Sequence, residues 1–276
     1  RTRFRSGARM SKRRILNFTS RKKRDTMVSY TNVGQANATT YVAGGAALSG
    51  SSSGNFYIFP FCATARLQQD STTTGTTPTV SDISSRTATT CYMVGMSENI
   101  EIQTSDGLPW QWRRICFTYA AGSTLGGSLE APSASYSPFL LTSGGYVRMI
   151  NQPVSTGTNL FSLIFKGAQS VDWTDAMSAP LDTSRIKVCY DRTRCIQAGN
   201  EQGVLRKYKL YHRMNKNLIY DDDERGGDEA SSAFSAENRQ SMGDFWIVDI
   251  VQPRSASTTT SRMSYQITST LYWHEK

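Results

Sequence analysis

The chain has little of what catalysis, export or membrane insertion requires. Its 276 residues include two histidines, His212 and His274, and neither stands in a nucleophile or metal motif. There is no HExxH and no G-x-S-x-G, and the glycines at 122, 126 and 127 lack the lysine that would make them a P-loop. The expectation is a protein that is not an enzyme and needs no metal and no cofactor. Five cysteines (62, 91, 116, 189 and 195) form no CxxC pair, and their number is odd. The nearest two, Cys189 and Cys195, would stand roughly 20 Å apart along one strand, too far to bridge. Reduced thiols in a large intracellular protein fit this better than a disulfide-stapled secreted domain. No apolar run approaches the ~20 residues that span a bilayer, so membrane insertion is not expected. The first residues are basic rather than leader-like. Because the chain starts at Arg1 rather than Met, further basic sequence upstream is expected.

Acid is absent from one stretch altogether. Residues 1–24 contain Arg1, Arg3, Arg5, Arg9, Lys12, Arg13, Arg14, Arg21, Lys22, Lys23 and Arg24, with no Asp or Glu. The whole chain carries 31 basic and 22 acidic residues, so residues 25–276 hold 20 against 22, a net charge of −2. The arm therefore supplies the entire positive excess of a nearly neutral body. Such asymmetry points to a polyanionic partner. The arm's few apolar residues have no sustained period, so much of it is expected to be mobile without that partner. Residues 25–276 are long enough for one large β domain.

The body reads as short alternating runs at 24–33, 55–66, 91–104, 110–119, 185–197, 204–213, 245–252 and 264–274. In 91–104 the apolar face is Tyr92, Val94, Met96, Ile100 and Ile102, with Glu98 the exception. Residues 245–252 are apolar almost throughout, as in a central strand, and Pro60 marks 55–66 as an edge or a bulge. Short helices are expected near 159–166 and 171–178. Residues 120–184 and 214–243 are oversized connections. Eight strands with a few long insertions is the pattern of an all-β, eight-stranded jelly roll of two packed antiparallel sheets, an architecture shared by viral capsids and lectins.

Several segments go beyond pattern. The stretches 19–27 (TSRKKRDTM), 87–118 (TATTCYMVGMSENIEIQTSDGLPWQWRRICFT), 214–224 (MNKNLIYDDDE), 242–254 (MGDFWIVDIVQPR) and the terminal TLYWHEK resemble the capsid proteins of genomoviruses, gemycircularvirus-like viruses with small circular single-stranded DNA genomes. The resemblance runs from about residue 12 to the end and is weaker in 34–54, 67–86 and 120–158. It implies a jelly-roll coat subunit, a T=1 icosahedral homo-oligomer, and an interior arm on a single-stranded DNA genome. The implied locations are the virion and, during assembly, the host nucleus. About sixty copies would bring about 660 positive charges to the interior, enough to balance several hundred nucleotides.

The arm's arginines suit phosphates through counterion release and planar bidentate contacts. The run Arg21-Lys22-Lys23-Arg24 also reads as a signal for host nuclear import machinery. Trp110, Trp112, Arg113 and Arg114 form a second candidate, since interleaved aromatics and arginines can stack unpaired bases while holding phosphates. The favoured alternative puts those tryptophans in the sandwich core. Lys207, Lys209 and Arg213 share one strand face, open to DNA, to solvent or to a neighbouring subunit. Asp221 to Glu224 lack the spacing of a calcium loop, so a solvated loop or one pairing with a neighbour's arginines is favoured over a cation site. The rival functions are a lectin-like glycan-binding jelly roll and a non-capsid DNA-binding protein.

Overall fold

The computed structural model describes residues 11–33, 41–50, 56–69, 77–120, 136–153, 158–255 and 257–276. In chain order its elements are helix α1 (Lys12–Thr19) and strands β1 (Arg21–Met27), β2 (Ser29–Thr31), β3 (Val42–Ala43), β4 (Ala46–Ser49), β5 (Tyr57–Cys62), β6 (Thr90–Thr104), β7 (Trp110–Tyr119), β8 (Leu140–Thr142) and β9 (Gly145–Ile150). Helix α2 (Thr158–Ile164) follows, then β10 (Lys187–Ile196), β11 (Leu205–Ile219), β12 (Asp223–Arg225), β13 (Asp228–Ala230), β14 (Asp244–Pro253) and β15 (Arg262–Glu275). The fold is all-β, with antiparallel sheets packed on one another.

Two sheets hold strands from all eight expected runs, although the run 24–33 is split, its second half forming β2 in a third sheet. The first has the order β1–β15–β6–β11, with β4 also on β15; the second has the order β10–β7–β14–β5. Numbering only the expected runs along the chain, the first sheet reads first, eighth, third, sixth. The second reads fifth, fourth, seventh, second. The apolar run of β14 lies between β7 and β5 and is buried on both faces. Pro60 stands on β5, an edge strand, where the missing N–H is tolerated.

Between the sheets, Met96, Leu271 and Trp273 meet Phe61, Cys116 and Ile247, while Ile100, Ile102, Tyr265 and Ile267 meet Phe59, Trp112 and Val251. A third, mixed sheet, β3–β2–β9–β8, brings β9 into contact with both β1 and β5. It thereby closes the side on which those edge strands would otherwise be bare. Part of the 120–184 insertion lies on the second sheet's other face. There Leu160, Phe161, Ile164, Phe165 and Trp173 pack with Ile115, Phe117, Trp246, Val248 and Ile250. The second sheet is thus covered on both sides, whereas among the described residues nothing covers the outer face of the first.

Three expectations need correction. Tyr92 and Val94 do not share the inward face of Met96. A register shift in β6 opposite Tyr272 and Trp273 adds one residue there, so Cys91 and Met93 turn inward and Tyr92 outward. Gly95 permits the bulge, because a Cβ there would lie 2.6 Å from the His212 carbonyl oxygen. Residues 171–178 form turns, not a helix. The Asp172 carboxylate accepts from the Ala168 N–H at 2.7 Å and Asp175 from the Met177 N–H at 2.9 Å, bonds that compete with a helical ladder. Finally, the arm's end carries a helix that its sequence pattern did not show, α1 over 12–19, and the first strand starts at 21 rather than 24.

Candidate nucleic-acid interface

The arm runs into the body through α1. Ser11 caps it, its Oγ accepting from the Arg14 N–H at 3.3 Å. Beyond that cap the helix has little support. It is eight residues long, its first turn holds no acid, and the positive residues there oppose the helix dipole. Arg14, Ile15, Leu16 and Phe18 are all exposed, Phe18 by 85 %. Arg1, Arg3, Arg5 and Arg9 lie outside the described residues, and of Lys12 and Arg13 only the backbone is described.

The run Arg21 to Arg24 divides by strand parity. Lys22 and Arg24 face outward, and Arg21 is exposed with a hydrogen bond to the Val80 carbonyl at 3.1 Å. Lys23 turns inward and is 4 % exposed. Its ammonium lies 3.0 Å from the Glu275 carboxylate and donates to Ser85 O and Thr87 Oγ1, both at 2.8 Å. Burial pushes the Glu275 carboxyl up, and bonds from Thr87, Trp273 and Lys23 outweigh it, leaving that group below its ordinary range. Lys23 therefore leaves the set of phosphate ligands, because its charge is committed inside the body. We expect Lys23→Met to destabilise the fold by about 3 kcal/mol, the cost of leaving a buried charge unpaired. Thermal melting measures that loss, and the salt dependence of DNA binding should not change.

For the second candidate the favoured alternative holds, with both tryptophans in the core between the sheets. Trp110, Trp112, Arg113 and Arg114 are 1 %, 0 %, 5 % and 0 % exposed and can touch no DNA without unfolding. Arg113 points toward the insertion, binding Asp191 at 2.7 Å and the carbonyls of Ala176 and Ala179. Arg114 points between the sheets into a closed ionic cluster. It bonds both Asp249 oxygens at 2.7 and 2.8 Å, and Glu98. Arg148, from β9, bonds Glu98 at 2.9 Å and Asp249 at 3.3 Å. The Trp112 indole N–H donates to Asp249 at 2.8 Å, Ser269 donates to Glu98 at 3.0 Å, and His212 Nε2 lies 3.6 Å from Glu98. Burial pushes the Glu98 carboxyl up, but Arg114 and Arg148 outweigh it and hold the group well below its usual range. Two arginines and two carboxylates thus cancel in charge while joining β6, β7, β9 and β14. The cluster is sealed from solvent, so it holds the sheets together and offers nothing to a substrate.

Lys207, Lys209 and Arg213 stand on the open outer face of the first sheet, opposite inward-facing Tyr208, Leu210 and His212. Lys207 pairs with Glu101 at 2.9 Å. Where β10 and β11 meet, Arg185, Lys187, Lys216 and Arg239 line a cleft of about 580 Å³. Lys187 beside it lowers the affinity of Lys216 for its proton. The acidic run is divided as well. Asp222 bonds Arg86 at 2.6 and 2.9 Å, Gln68 at 3.1 Å and the Ser232 N–H at 2.8 Å. Asp221, Asp223 and Glu224 are exposed, the last two on the β12–β13 hairpin. Among the described residues no group of three or more His, Cys, Asp or Glu is placed to hold a metal ion. No protein-family model and no curated protein matches the chain.

Proposed function

We propose that this chain is a viral coat protein that assembles with copies of itself into a small closed icosahedral shell and packages single-stranded DNA through its basic arm. One observation carries the reading. The whole positive excess sits in residues 1–24, joined through an edge strand to an all-β body of net charge −2. A near-neutral body limits repulsion between neighbours, and the crowded arms repel one another until a polyanion neutralises them. The strand orders first–eighth–third–sixth and fifth–fourth–seventh–second support an eight-stranded jelly roll. The resemblance to genomovirus capsid proteins supports a T=1 shell of about sixty copies, found in the virion and in the host nucleus during assembly.

On this reading the body's long connections make the contacts between subunits, each weak and repeated around the shell. Arg21 to Arg24 are paired into the sheet through β1 and Lys23 is buried, so a nuclear-import signal is better sought upstream of them. Nuclease treatment of the purified assembly tests packaging. The expected result is single-stranded DNA protected inside particles, released only when the shell is opened. Freely digested DNA on small, discrete protein complexes would favour a non-capsid DNA-binding protein. A small species without DNA would favour a glycan-binding sandwich.

A further inference from the structure

The open face of the first sheet is arranged in cross-strand rows fixed by register. One row reads Lys22, His274, Tyr92, Asn217; the next reads Arg24, Tyr272, Gly95, Arg213. Tyr211 stands in the row beyond, opposite Ser97, and its ring lies over Gly95, where a Cβ would come within 2.7 Å of the tyrosine hydroxyl. The Tyr92 and His274 rings are 6.0 Å apart and tilted by 37°. Tyr92 is 40 % exposed and Tyr211 51 % exposed, on a face that no other part of the described chain covers. The β6 bulge is what turns Tyr92 outward, and the missing side chain at Gly95 is what leaves room for the hydroxyl end of Tyr211. Lys22, Arg24 and Arg213 flank these rings. Glu101 is the one acid that the four long strands turn outward, and Lys207 already neutralises it. Lys22 and Arg24, among the last residues of the arm, stand on this same face.

We propose that this end of the sheet is a stacking platform for unpaired bases, with Tyr92 and Tyr211 taking bases and Lys22, Arg24 and Arg213 taking the phosphates between them. The inference rests on the DNA-packaging reading above and adds something the arm lacks. Arm cations neutralise phosphates of any strand, whereas exposed rings reward only bases that are not already stacked in a duplex. The platform therefore makes the protein prefer single strands over double.

Fluorescence anisotropy on the full chain tests this with three probes of equal length: a single strand, a duplex and a single strand without bases. The double variant Tyr92→Leu/Tyr211→Leu should bind the single strand about 100-fold more weakly, about tenfold for each lost stack. Binding to the duplex and to the base-free strand, and the salt slope, should not change. Wild-type affinity of the variant for the single strand overturns the platform, as does an equal loss on the base-free strand. Leucine keeps an apolar cover over Gly95. Should the variant nevertheless melt early, photocrosslinking of the unaltered chain to a bromodeoxyuridine strand replaces it. Crosslinks at Tyr92 or Tyr211 support the platform; crosslinks confined to the arm overturn it. Unaltered protein that binds none of the three probes would instead remove the DNA-packaging reading itself.

Discussion

Replacing Arg114 with methionine is expected to destabilise the body by about 4 kcal/mol, which for a domain of this size lowers the melting temperature by about 10 °C. The substitution leaves Glu98 and Asp249 sharing Arg148 as their one arginine, so one buried negative charge is no longer balanced. Hydrophobic volume does not compensate, because the penalty lies in the partners left behind rather than in the guanidinium removed. The same cluster sets the response to acid. Glu98 has a folded pKa depressed below its unfolded one, so its stabilisation is present above the unfolded value of about 4.3 and is lost as pH falls through the folded value. Wild-type stability should therefore fall steeply below about pH 4. Glu98→Gln should start lower and show a flatter acid limb. Thermal melts of the three proteins between pH 3 and pH 7 check this, and an Arg114→Met melting point within about 2 °C of wild type would contradict it.

The second large effect concerns the arm. A chain beginning at Arg21 keeps β1 and the Lys23–Glu275 pair but loses seven of the eleven basic residues of the arm. Each phosphate contact on a single strand contributes about −0.7 to the slope of log affinity against log salt, so the slope should fall in magnitude by about 5. At 50 mM salt, single-strand affinity should drop by about a thousandfold or more. Truncation at this point separates arm from fold, because β15 still has its partner strand. Equal affinity and equal slope with and without residues 1–20 would mean that the body, not the arm, holds DNA.

Much of the β framework was legible because period two survives in the runs that face a core on one side. Met263, Tyr265, Ile267, Leu271 and Trp273 alternate with polar residues, and all five are buried. What failed did so for local reasons. Strands of two to four residues, such as β2, β3 and β8, are too short to display a period. The β6 bulge inverted the parity of Tyr92, and Gly95 was its only trace. The ionic cluster left a faint signal: Glu98 broke an apolar face on one strand, while Arg114 shared a face with Trp112 and Cys116 on another. Glu98 and Arg114, of opposite charge, stand only 16 residues apart, but the partners that complete the cluster, Arg148 and Asp249, lie 50 residues from Glu98 and 135 from Arg114 along the chain. Lys23 could not be told from its neighbours, because its partner, Glu275, stands at the opposite end of the sequence.

Whether the chain builds a closed shell around DNA is read by electron microscopy of the purified chain 1–276, alone and with a circular single strand. Uniform closed particles of about sixty subunits are expected on the circular strand, with the truncated chain forming none around DNA. A chain 1–276 that stays monomeric or in small oligomers on the same strand, under conditions where it remains folded, is not a coat protein of this kind.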